Sequence, residues 1–131
     1  MTLKSKNIRI LSSCNAYAVS DLVSTGGCKY ENLGIGSAVY PTVSLTNHSC
    51  AQNTMRYHEG NACVLRASLA IEEGEEIVDN YGFFYQMHPL SHRRLLMERQ
   101  YFFRCECRAC AADWPTALKI MRDQDMYLCT G

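Results

Sequence analysis

The chain has 131 residues, 47% hydrophobic and 20% charged, a globular composition that argues against overall disorder. Thirteen Lys and Arg balance thirteen Asp and Glu, so the formal net charge is zero and a strongly cationic nucleic-acid binder is disfavoured. No apolar run approaches the roughly 18 residues of a bilayer span, and Met1-Thr2-Leu3-Lys4-Ser5-Lys6 has no apolar core of the secretory kind.

Residues 5–24 read as a helix, with Ile8, Leu11, Ala18 and Leu22 at three- and four-residue steps or their multiples. Gly26-Gly27 closes it, and residues 28–37, with Gly34 and Gly36, read as a loop. Tyr40-Pro41 predicts an extended entry into Thr42-Val43-Ser44-Leu45. Thr54–His58 and Cys63–Ala67 read as a hairpin around Glu59-Gly60-Asn61. Glu72–Glu75 is a second turn, and Glu76-Ile77-Val78 a further short strand. A helix is expected from Ser91, which follows Pro89 and can cap free amides. Pro115 opens a last helix with Leu118, Met121 and Met126, reaching Gly131. Scattered short strands with helices at both ends give an α+β class.

The eight cysteines are Cys14, Cys28, Cys50, Cys63, Cys105, Cys107, Cys110 and Cys129. With no export signal, a reducing compartment is expected, where clustered cysteines point to metal or catalysis. Cys105-Glu106-Cys107-Arg108-Ala109-Cys110 is a C-x-C-x-x-C segment. Zinc takes four ligands in closed structural sites, so three local thiols need a fourth from elsewhere. Buried thiols without a metal, or a disulfide framework, are the alternatives.

Asn47-His48-Ser49-Cys50, with Asn53, groups small polar side chains that can fix a ligand or simply satisfy a turn. Asp79-Asn80-Tyr81-Gly82 leads into Phe83, Phe84 and Tyr85. Such aromatics are core residues by default, though a Tyr hydroxyl can also line a reaction channel. The same choice applies to Tyr101, Phe102 and Phe103. His58, His88 and His92 read as surface or turn residues. His92-Arg93-Arg94, with Arg99, Arg104 and Arg108, reads as a solvated helix face.

Taken together, these strings resemble the C-terminal half of a SET-domain protein lysine methyltransferase of the SMYD type. The resemblance rests on Cys14-Asn15-Ala16-Tyr17, on Tyr40 to Cys50 with Asn53, on Gly74-Glu75-Glu76-Ile77 and Tyr81, and on Tyr101 to Cys110. It spans roughly residues 8–114, and Ala109 to Pro115 looks like the branch that also carries TPR-type helices. Ala51-Gln52 precedes Asn53 where the family usually has Pro, and Thr46 stands where an apolar residue is common.

The resemblance implies the C-terminal part of a SET fold over residues 1–86, a post-SET helix and zinc-binding segment over 87–114, and the start of a helical region over 115–131. It implies a Zn²⁺ site made by Cys50, Cys105, Cys107 and Cys110. It implies S-adenosylmethionine contacts from Asn15, Ser44, Asn47, His48 and Phe103, catalysis beside Tyr81, and a lysine channel lined by Tyr101. The implied partner is a protein substrate, histone or non-histone, with neither a membrane nor sequence-specific nucleic acid. The implied location is cytoplasmic, nuclear or both. The family's Gly-rich donor-binding turn, MYND finger and TPR helices are not in these 131 residues, so a piece of a longer enzyme is expected. The alternative is a non-enzymatic, zinc-stabilised interaction module derived from the SET fold.

Overall fold

The computed structural model describes residues 14–123 and divides the chain into two compact units. One unit comprises the chain up to Thr46 together with Thr54–Ser68. Within it, strand β1 (Ala16–Gly26) pairs antiparallel with β2 (Lys29–Val39). The expected helix over 5–24 is therefore helical at residues 14–15 and a strand from Ala16 onward, and the expected loop at 28–37 is that strand's partner.

Sequence pattern explains both differences. Val19, Val23, Thr25 and Tyr30 favour a pleated surface, and Gly26 (φ 115°) and Gly27 (φ 62°) make the tight reversal. Gly34 and Gly36 flank a register shift opposite Val19/Ser20, so these glycines mark a bulge inside a strand. Pro41 is followed by a single 3₁₀ turn, Val43–Leu45, in place of the extended run expected there. Proline restricts the residue before it, and its own φ suits the turn that follows.

The expected hairpin is present as β4 (Thr54–Glu59) and β5 (Ala62–Ala67), reversed at Gly60, whose φ of 57° suits glycine. The Arg56 guanidinium lies 4.3 Å from the Tyr17 ring centre, and Tyr40 bridges Tyr17 and His58 at 6.1 and 5.7 Å. His58 is thus a half-buried strand residue with its Nε2 enclosed, rather than an ordinary surface histidine.

The other unit comprises Asn47–Asn53 and the chain from Leu69 onward. Two-residue strands β3 (Asn47–His48) and β6 (Val78–Asp79) pair in parallel, so the strand expected at Glu76–Val78 is shorter and shifted. Helix α1 (Leu90–Tyr101) follows. Its N-cap is Pro89, with no side-chain cap, so Ser91 does not play the expected role. The short helices α2 (Arg108–Ala111) and α3 (Ala117–Asp123) complete the described chain. Met126 and the approach to Gly131 lie outside the described residues. Among the described residues, no helix is long and apolar enough to cross a membrane.

The core of this unit is Cys50, Ala51, Met97, Cys105, Ala109 and Cys110, flanked by Tyr81, Phe83, Tyr85 and Trp114. Helix α1 buries only Arg93 and Met97. The basic stretch is therefore not uniformly a solvated face: Arg93 is 0% exposed.

α1 ends on Phe102 in the left-handed region at φ 62°, with its ring 68% exposed. A non-glycine residue is strained there, and a β-branched one more so. Phe102→Val is expected to lower stability by about 1–2 kcal/mol, whereas Phe102→Gly leaves it unchanged or raises it. Thermal or urea unfolding of the two variants separates these outcomes.

Candidate metal centre and adjoining cleft

Cys50 is fixed by a frame of hydrogen bonds around it. The Ser49 N–H donates to the Asp79 carbonyl at 2.8 Å, extending the β3–β6 pairing by one step. Ser49 Oγ accepts the Ala51 N–H at 3.1 Å. Asn53 donates to the Glu76 carbonyl at 2.9 Å and accepts the Val78 N–H at 3.0 Å. Asn80 donates to the Ser49 carbonyl at 3.0 Å, while its Oδ1 takes the N–H groups of Gly82 (2.8 Å) and Phe83 (2.7 Å). The local turn-forming role that Asn and Ser play by default is thus real for Ser49, whereas Asn53 joins two segments far apart in sequence.

This frame delivers Cys50 to the C-x-C-x-x-C segment. The sulfurs of Cys50, Cys105, Cys107 and Cys110 all lie within 4.8 Å of one another. Cys50 Sγ is 3.9 Å from Cys105 Sγ and 3.5 Å from Cys110 Sγ. Tetrahedral zinc with Zn–S of 2.3 Å requires sulfurs about 3.8 Å apart, so the set fits a four-coordinate metal ion. The seven described cysteines form no disulfide. Cys14, Cys28 and Cys63 belong to the other unit, and Cys129 lies outside the described residues.

Electrostatics within the cluster point the same way. Hydrogen bonds from the sulfurs of Cys105 and Cys50 hold the Cys107 thiol far below its usual range. Cys105 is pushed up to about 11, first by its bond to Cys107, and Cys50 is pushed up strongly by Cys105 and Cys107. Four adjacent sulfurs cannot all ionise together without a cation among them. A divalent ion supplies that cation, so the donor set is chemically matched to a metal.

His48 sits at the edge of the cluster. Burial holds its pKa down at about 4; Cys107 pulls it back up and Arg93 lowers it further. The neutral ring accepts the Tyr81 N–H on Nδ1 at 3.1 Å, which leaves the proton on Nε2, 3.3 Å from Cys50 Sγ. The His48 ring centre is 5.1 Å from Tyr81 and 6.1 Å from Phe103, and Tyr81 is 4.8 Å from Tyr101. Asn47 is exposed, its amide donating to Glu76 Oε1 at 2.6 Å. A cleft of about 470 Å³ opens here, lined in part by His48, Asn53, Glu75, Glu76, Phe103 and Arg104.

The structure therefore brings His48, Tyr81, Tyr101, Phe103 and the four cysteines together, with Asn47 at the end of the same strand. Asn15 and Ser44 belong to the other unit, where Ser44 Oγ is buried without a hydrogen-bond partner. Two residues were not singled out from the sequence. Asn80 is a three-way tie whose signal was an Asx residue directly after a short strand. Arg93 shares the helical stripe of Leu90, Met97 and Tyr101, a spacing that marks an inward face.

Residues 6–82 match the SET domain. The chain belongs to the SET-domain family. It is 41% identical over 83 residues to a SET and MYND domain-containing protein of Dictyostelium discoideum, covering 63% of this chain and 6% of that protein. It is 33% identical over 105 residues to the protein-lysine N-methyltransferase SMYD4 of Mus musculus, covering 76% and 13% respectively. It is 34% identical over 99 residues to the N-lysine methyltransferase SMYD2 of Gallus gallus, covering 75% and 20%. The chain thus spans no more than about a fifth of these relatives.

Asn80 carries the first test of this SET-domain frame. Asn80→Ala leaves a buried carbonyl and two N–H groups without their partner and is expected to cost about 3 kcal/mol. Asn80→Asp retains the acceptor for Gly82 and Phe83 and is expected to cost less. Equal unfolding midpoints for wild type and Asn80→Ala would remove the tie from the frame.

Proposed function

We propose that the chain forms part of a protein-lysine N-methyltransferase, with one Zn²⁺ held by Cys50, Cys105, Cys107 and Cys110. The observation that carries this reading is the convergence of His48, Tyr81, Tyr101 and Phe103 beside the four-sulfur cluster and its cleft. The names of the relatives support the enzyme over a non-enzymatic module. Residues 1–86 serve in this reading as the C-terminal part of the SET domain, 87–114 as the post-SET segment and 115–131 as the start of a helical region of the TPR-containing branch.

S-adenosylmethionine, when bound, would supply an electrophilic sulfonium methyl: a neutral lysine amine bonds to that carbon in line as the C–S bond breaks and the neutral thioether leaves. The cleft volume falls in the range of small-molecule sites. Glu75 and Glu76, with Arg104 and Arg108, give the cleft lining both charge signs, suited to a ligand that carries both. Phe103, 37% exposed, offers an apolar wall, and Asn47 and His48 supply polar contacts. The paired faces of Tyr81 and Tyr101 hold the lysine stem and favour a cation near it. The Tyr81 hydroxyl orients the reacting groups. The chain's task is position more than acid–base chemistry, because water can deprotonate the lysine beforehand. The substrate in this reading is a histone or non-histone protein in the cytoplasm or nucleus.

Two sets of outcomes follow. Elemental analysis is expected to give one zinc per chain and much less in Cys107→Ser. Acid is expected to release the metal, because protons compete for the thiolates as pH falls. Protein with no zinc, or unchanged zinc in Cys107→Ser, overturns the metal assignment.

In protein active on a lysine peptide, Tyr81→Phe is expected to lower kcat by roughly 100- to 1000-fold with little change in cofactor Kd. Asn47→Ala is expected to weaken cofactor binding first. Near wild-type kcat in Tyr81→Phe makes Tyr81 a packing residue, and an unchanged Kd in Asn47→Ala removes Asn47 from the donor site.

A further inference from the structure

Arg93 is buried without exposure in the second turn of α1. Its Nη1 donates to the His88 carbonyl at 2.6 Å. Its Nη2 faces the Ala109 carbonyl at 3.4 Å and Cys110 Sγ at 3.7 Å. Its Nε has no partner. A buried guanidinium that met only carbonyls would carry a large uncompensated desolvation cost. Among the described residues, the one side-chain atom it is seen to meet is Cys110 Sγ, a member of the four-sulfur cluster.

We infer that Arg93 is the built-in countercharge of the four-cysteine metal centre, a positioning residue that holds the Cys110 thiolate and lets a doubly negative tetrathiolate–metal unit stay buried. The inference rests on the zinc reading above. Four thiolates around a dication leave two excess negative charges in a region shielded from water. A fixed cation at hydrogen-bond range of one sulfur offsets part of that charge, and charge-assisted contacts of this kind are among the stronger ones. On another edge of the cluster, His48 Nε2 stands 3.3 Å from Cys50 Sγ, so two of the four sulfurs meet a nitrogen of the surrounding shell. Such outer contacts orient the ligands and tune the metal. Arg93 also ties α1 to α2 through Ala109 and Cys110, so the helix that ends in the Tyr101–Phe103 segment is coupled to the metal through one side chain.

The test uses the purified chain with Arg93→Lys, Arg93→Gln and Arg93→Met, and with Arg99→Gln as a control on an exposed position of the same helix. Zinc content of the wild type comes first: no zinc there overturns the metal reading itself. With one zinc bound, chelator competition is expected to show affinity 10- to 100-fold weaker in Arg93→Gln and Arg93→Met, largely restored in Arg93→Lys, and unchanged in Arg99→Gln. Cobalt substitution is expected to show a displaced thiolate-to-metal absorption band in the two neutral variants and not in the lysine variant. If Arg93→Met does not fold, the lysine–glutamine comparison decides. Zinc affinity within twofold of wild type in Arg93→Gln, or a lysine variant as weak as the neutral ones, overturns the countercharge role and leaves Arg93 as a carbonyl clamp.

Discussion

Everything in the second unit depends on bringing Cys50 against a segment that begins 55 residues later in the chain. Closing such a loop costs conformational entropy, and the apolar core available to offset it is small. Its buried members are two alanines, one methionine and three cysteines. A bound structural zinc contributes on the order of 10–16 kcal/mol in small zinc peptides at neutral pH. In the proposed reading, a metal held by the four sulfurs therefore contributes more than the apolar packing around it. The surrounding asparagines then act as a frame. They set backbone directions within hydrogen-bond distance, while the cross-link, in the proposed reading, comes from a metal at the four sulfurs.

The parallel contact between β3 and β6 is only two residues long and is not stable by itself. It persists because its ends are tied on both sides. Asn53 reaches Glu76 and Val78, and Asn80 reaches Ser49 and the N–H groups of Gly82 and Phe83. These side chains substitute for the ladder that a longer sheet would provide. One consequence is functional. The Tyr81 backbone lies one residue beyond Asn80 and donates to His48, so the phenol ring and the imidazole are placed by the same tie.

How much of this was legible in the residues varied with the physical signal. The α+β class, the β4–β5 hairpin and the cysteine cluster were legible because each has a local signature: alternation around a glycine turn, or three thiols within six positions. The fourth thiol was not local, and only the resemblance to SET-domain proteins singled out Cys50. β1 was misread because Ile8, Leu11, Ala18 and Leu22 happen to recur at helical steps, while the β-branched residues after Ala16 carry the stronger signal. β2 was misread because two glycines that bend a strand look like those that end one. Arg93 was read as solvated by residue type, although its spacing from Leu90 and Met97 put it on the buried stripe. Residue type was the weaker signal there, because a buried countercharge is dictated by a partner far away in sequence.

The end of α1 shows how these constraints meet. Its inner face is anchored by Met97 in the core and by Arg93 against the Cys110 sulfur. Phe102 then takes a left-handed turn with its own ring in solvent. That turn lies between Tyr101, which stacks near Tyr81, and Phe103, which faces His48. A regular helical continuation would put successive residues about 100° apart on one helix. The strained residue instead directs its neighbours to two parts of the site. Strain at such a position persists only where the flanks are over-determined, and here the flanks are the anchored helix on one side and the cysteine cluster, two residues past Phe103, on the other.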